Sequence, residues 1–265
     1  MDMASGEVFI PVGNPAPDFM PGHRPGENLF TNSVVVLDAR TGALKWWHQM
    51  APNDGLDLDI GSAPMLYWNS KGEPMMAAGS KDGHVYGVNR ESHERAYMTP
   101  ITTIEKPSQA PNDQGVRSCP GALGGVEWNG PAWDGKNKQV MVGSVDWCSI
   151  VKSAEVKYEP GQFLFGGSYT FEGPRTGWVH ALDPDPGPTV AALTDRLGYD
   201  ANCWVRVRAV ASRCSTVGWT TTLARRELPG LVLSVWPRVA RVSVEPVESA
   251  VRRWVVVCSS TTAPA

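Results

Sequence analysis

Apolar and polar positions along the first two-thirds of the chain alternate in short bursts. Ser33-Val34-Val35-Val36-Leu37 is a β-branched run; it stops at Asp38-Ala39-Arg40-Thr41-Gly42 and resumes as Ala43-Leu44-Lys45-Trp46-Trp47. That pattern predicts a strand, a turn closed by glycine, and a second strand carrying tryptophan. His84–Val88 followed by Asn89-Arg90-Glu91-Ser92, and Trp178–Leu182 followed by Asp183-Pro184-Asp185-Pro186-Gly187, repeat it. The residue opening the turn falls at 38, 89 and 183, so the spacings are 51 and 94, the second near twice the first. Asp2–Gly13 and Asp134–Gly143 share another pattern, a polar turn that opens a strand ending at glycine. A strand-and-turn unit recurring about every 45–50 residues is the signature of propeller blades, and a β-sandwich has no such fixed period. The fold class expected is all-β, a partial β-propeller.

The pattern stops near Gly187. Residues 1–187 carry 14 Lys+Arg, 8 of them Lys, against 22 Asp+Glu; residues 188–265 carry 10 Arg, no Lys and 5 acids. The second stretch has fifteen Val, three Gly and no Ile, Phe or Met. Two domains are therefore expected, a partial propeller over 1–187 and an anomalous tail over 188–265. The tail reads as out-of-frame translation of a G+C-rich gene, or as disorder, with a genuine β-rich extension as the alternative. For the whole chain, 42% hydrophobic residues suffice for a core, and 27 Gly with 11 Trp suit many tight turns. A net charge of −3 gives no reason to expect nucleic acid or an anionic membrane as partner. The longest apolar candidate, Leu228–Val244, is interrupted by Pro237, Arg238 and Arg241, so no membrane span is expected. Met1-Asp2 opens without a basic or apolar leader, so no signal peptide is expected in these residues.

Several motifs occur in unbroken order over residues 2–187: Gly13-Asn14-Pro15-Ala16-Pro17, Arg24-Pro25-Gly26-Glu27-Asn28, Thr31-Asn32-Ser33 with its Asp-x-x-Thr-Gly turn, Pro52-Asn53-Asp54-Gly55-Leu56-Asp57, and Cys119-Pro120-Gly121. Together they resemble the methanol/ethanol dehydrogenase family that depends on pyrroloquinoline quinone (PQQ), whose fold is an eight-bladed propeller. The resemblance implies Asn14 as a metal ligand and Asp57 as ligand and catalytic base, with Asn53 standing where the family has histidine. It places Asp59 as a further ligand, as in the branch using a lanthanide rather than Ca2+. Two residues apart on a strand, Asp57 and Asp59 share one face, and two such carboxylates repel unless a cation lies between them. Asn and Asp oxygens are the hard donors that Ca2+ takes. The bland alternatives are a turn role for Asn14 and a solvated acidic loop for Asp54, Asp57 and Asp59.

The resemblance also puts Lys81 over the quinone oxygens, where its residue type alone reads as a surface turn lysine. Glu127 and Trp128 line the cofactor at a position where the family has Asn followed by an aromatic. Cys119 and Cys148 take the place of a family disulfide, with two free thiols as the alternative, and a disulfide implies an oxidising, periplasmic compartment. A small alcohol as substrate and a cytochrome c-type electron acceptor are the partners implied. A Glu ligand, a pair of adjacent cysteines and a stacking Trp precede Asn14 in family order, so the chain is expected to be an inactive fragment. A non-catalytic propeller scaffold is the rival reading, and it has no use for Asn14, Asp57, Asp59 and Lys81 converging on one point.

Overall fold

The computed structural model describes residues 1–185 and, beyond them, only the backbones of five strands. A first antiparallel sheet is β1 (Glu7–Val12), β2 (Ser33–Asp38) and β3 (Leu44–Gln49). A second is the meander β4 (Met65–Trp68), β5 (Pro74–Gly79), β6 (His84–Asn89) and β7 (Arg95–Pro100). The third is built on a long hairpin of β10 (Gln139–Ser153) and β11 (Gly167–Leu182). The short β8 (Val116–Ser118) and β9 (Ala132–Asp134) pair with β10, and β12 (Thr189–Asp195) pairs with β11. The strands β13 (Trp204–Val207), β14 (Leu231–Trp236), β15 (Val239–Val244) and β16 (Val255–Ser259) form a fourth sheet. The domain boundary expected at Gly187 lies outside the described residues, and so does most of the tail expected to be out of frame or disordered. Among the described residues no helix is long and apolar enough to cross a membrane.

The turns that punctuate the sequence are chemically the same device. Asp38 Oδ1 accepts the backbone N–H groups of Arg40 and Thr41 at 3.0 and 2.8 Å. Asn89 Oδ1 accepts those of Glu91 and Ser92 at 2.8 and 3.1 Å, and Asp183 Oδ1 that of Asp185 at 2.9 Å. These turns join β2 to β3, β6 to β7 and β11 to β12. A second set precedes β1, β5 and β10: Asp2, Asn69 and Asp134 each accept a backbone N–H two residues on. Asn69 completes the echo seen between Asp2–Gly13 and Asp134–Gly143. Short polar side chains that mimic a backbone turn explain why Asp and Asn recur there. Asn89→Ala is expected to lower stability by about 1 kcal/mol, as a shifted denaturant midpoint with an unchanged slope.

The middle blade has two buried faces. Along β5, Met76 and Ala78 join Phe9, Val34, Val36, Trp46 and Tyr86 in one core, while Met75 and Ala77 join Val85, Tyr97, Val126, Val140 and Leu182 in another. Successive side chains of a strand point to opposite faces. A sheet sandwiched between two others therefore reads as a continuous apolar run, as Pro74-Met75-Met76-Ala77-Ala78 does. Arg90 bridges the first two blades, its Nη1 lying 2.7 Å from Asp2 Oδ2.

Candidate active site

Four connections meet at one end of these blades. The first follows β1: Gly13 brings the chain so close to the neighbouring loop that a Cβ there would stand 2.7 Å from Asp59 Oδ1. The next backbone N–H, that of Asn14, donates to the same Asp59 Oδ1 at 2.7 Å. The second connection runs from β3 to β4. Asp54 is buried and winds it, accepting the N–H of Leu56 at 2.8 Å and that of Leu58 at 2.7 Å. Asp57 lies between them with φ +65, a left-handed conformation costly for a residue with a Cβ and concentrated at functional sites. Asp57 and Asp59 thus stand on a loop, which corrects the expectation that a strand aligns them: Asp54's two hydrogen bonds leave this segment no ladder to join.

The third connection is the β5–β6 turn, which delivers Lys81. Its N–H donates to the Asp59 carbonyl at 3.0 Å, and its ammonium lies 2.9 Å from Asp57 Oδ2 and 3.4 Å from Asp59 Oδ2. The Lys81 side chain is 5% exposed, so it is no surface turn lysine. Neither is the acidic loop solvated, since the Asp57 and Asp59 side chains are 14% and 27% exposed. The turn is locked from below by Asp82, which accepts the His84 N–H at 3.0 Å and the Tyr86 hydroxyl. The fourth connection, after Cys119, is threaded through a gap that glycine makes: a Cβ on Gly125 would meet Lys81 Cα and O at 2.4 Å. Val126 N–H donates to the Ser80 carbonyl at 3.0 Å, its side chain enters the core, and Glu127 follows, 6% exposed. Glu127 Oε1 is buried without a hydrogen-bond partner. Trp128 is 56% exposed.

The electrostatics follow from three acids around one base. Burial pushes the Asp57 carboxyl up to about 7 in spite of Lys81, and it pushes Glu127 up to about 7 as well. Lys81 is opposed by its own burial, but Asp57, Glu127 and Asp59 outweigh it and hold the ammonium above its ordinary range. Asp18 was missed in the sequence. It is 9% exposed, is raised chiefly by burial, and is hydrogen-bonded by the Asn14 side chain. A lone acid in a proline-rich segment gives no periodic signal. Among the described residues no three His, Cys, Asp or Glu side chains form a ready metal cage. The donors are nevertheless the hard oxygens such an ion takes, with an ammonium standing where their charge demands a cation.

Cys119 and Cys148 form a disulfide with Cα atoms 4.4 Å apart. It ties the end of β8 to β10 beside the register shift between Asp146 and Cys148, and it anchors the loop that carries Glu127.

The sheets are those of part of a β-propeller. Residues 1–97 match the family described as glucose/ethanol/alcohol dehydrogenase, beta-propeller domain. The quinoprotein alcohol dehydrogenase PedH of Pseudomonas putida is 26% identical over 211 residues, covering 69% of this chain and 35% of that protein. The lanthanide-dependent methanol dehydrogenase of Methylorubrum extorquens is 26% identical over 209 residues, covering 68% of this chain and 33% of its own. A europium-containing methanol dehydrogenase superposes with a TM-score of 0.67 at 17% identity, over 78% of this chain and 41% of that one, a likeness of fold. The chain is similar to the quinoprotein alcohol dehydrogenases and has the fold of part of a β-propeller. It spans about a third of the length of the curated relatives it matches.

Proposed function

We propose that this chain forms the acid–base face of a periplasmic PQQ-dependent dehydrogenase that oxidises a small alcohol to the aldehyde and passes the electrons to a cytochrome. The observation that carries this reading is the meeting of Asn14, Asp57, Asp59, Lys81 and Glu127 from four separate connections, for which a scaffold has no use. Asn14, Asp57 and Asp59 would hold a Ca2+ or lanthanide ion, and Lys81, Glu127 and Trp128 the quinone. When bound, PQQ supplies the electron acceptor and the ion a Lewis acid. Asp57 accepts the alcohol proton. In the metal-free chain burial pushes its carboxyl up to about 7. In that state Lys81 holds the carboxylate by an ion pair, and the buried surroundings keep water from competing.

Terbium titration of the purified chain tests the site. Measurable binding that weakens more than about tenfold in Asp57→Asn is expected, because affinity follows ligand charge. Absence of both terbium and PQQ binding overturns the reading in favour of a scaffold. These 265 residues alone are expected to give no turnover, because the donors around Lys81 make no complete metal cage among the described residues. Incubation with PQQ, La3+, an alcohol and a dye acceptor checks this. Dye reduction that disappears in Asp57→Asn would show a working enzyme.

A further inference from the structure

The family resemblance leaves Glu127 unexplained, since an amide is usual at that position, and its chemistry here is unusual. A carboxylate oxygen buried without a partner is costly, and a donor brought to it relieves that cost. The available donor is Lys81. Its ammonium lies 2.9 Å from Asp57 and 3.4 Å from Asp59, and Glu127 is a third acid that favours its charge. Asp57 and Asp59 are also the oxygens a metal ion needs, so the ammonium and the ion compete for one pair of carboxylates.

We propose that Lys81 is a two-position counter-ion: it rests on Asp57 and Asp59 when no metal is bound, and it moves to Glu127 Oε1 when an ion takes that pair. Nothing covalent changes, and one ion pair is exchanged for another. The partnerless oxygen of Glu127 is the vacant second position, held ready by Val126 in the core and by the Gly125 backbone packed on Lys81. An amide at 127 offers that ammonium no countercharge, so ejecting it is harder. Placing a mobile cation between two metal-binding carboxylates keeps them from repelling each other in the metal-free protein.

The inference rests on the metal reading above, and the test separates the two. Tryptophan-sensitised terbium emission is titrated in the wild-type chain, Glu127→Gln, Lys81→Gln and the double variant. Lys81→Gln is expected to bind at least about tenfold more tightly, because the competing cation is gone. Glu127→Gln is expected to bind roughly tenfold more weakly when Lys81 is present, yet within about threefold of its parent when Lys81 is absent, a coupling of the two side chains. Equal weakening in both backgrounds would make Glu127 a metal ligand and sink the two-position idea alone. An unchanged affinity in Glu127→Gln would do the same. No terbium binding by the wild-type chain would remove the metal reading and this inference together. If Lys81→Gln does not fold, isotope-labelled wild-type chain answers instead. The Lys81 Nζ to Glu127 Cδ separation, from dipolar recoupling, is expected to shorten when La3+ is added. A separation unmoved by the metal overturns the exchange.

Discussion

Lys81→Met is expected to cost about 3–5 kcal/mol of stability at pH 8, since breaking a buried ion pair strands its partners. Three carboxylates surround that ammonium, and Asp57 and Glu127 are already pushed up to about 7 with it in place. Without it both rise further. The sign with pH follows from linkage. A carboxyl raised in the folded state binds more protons there than in the unfolded chain, so stability falls as pH climbs from its unfolded value towards its folded one. In the variant this window extends to higher pH. The deficit relative to wild type is therefore largest near pH 8 and shrinks towards pH 5, where Asp57 and Glu127 are neutral in both proteins. Urea midpoints at the two pH values check this. An equal deficit at both would mean that Lys81 stabilises through packing and not through charge.

Replacing Cys119 and Cys148 together by alanine is expected to lower stability by about 3–4 kcal/mol, the loop-entropy value for a 29-residue separation. The reach is wider than stability. Cys119 begins the connection that ends at Glu127, whose position depends on Gly121 N–H donating to the Trp147 carbonyl at 2.7 Å and on Gly125 pairing with Val145. Freed at Cys119, that connection is expected to exchange its amide hydrogens faster at Gly121 and Gly125 than the β5–β6 turn does. Unaltered exchange there would show that the glycine-mediated contacts hold the loop by themselves.

Much of the fold was legible because it is written locally. A β-branched run and an Asp or Asn two residues ahead of the N–H it caps are short-range signals, and they located β2, β3, β6 and the turns at 38, 89 and 183. The order of motifs pointed to Asn14, Asp57, Asp59 and Lys81, whose loops lie together in the structure, and it paired Cys119 with Cys148. What escaped depends on partners far along the chain. Asp57 and Asp59 were placed on one face of a strand, whereas Asp54 folds that segment into a loop and Lys81 gathers both carboxylates. Asp18 carries no pattern, and its burial comes from elements that meet only in three dimensions. Residue type at 81 suggests solvent, whereas the side chain lies inside, paired with Asp57 and Asp59 where Gly125 packs against its backbone.

The sheet β4–β7, apolar on both faces, sets a timetable for synthesis. Of these sheets β1–β3 emerges before β4–β7, and Val34, Val36 and Trp46 lack the cover of Met76, Ala78 and Tyr86 until those residues emerge some forty residues later. When β5 and β6 dock there, their other face waits in turn for Val140 and Leu182. At each step the nascent chain presents a fresh adhesive surface, so its hazard of clumping moves forward blade by blade with the growing end. Translation rate and chaperone capture between residues 50 and 140 should therefore govern yield more than the stability of the finished protein does.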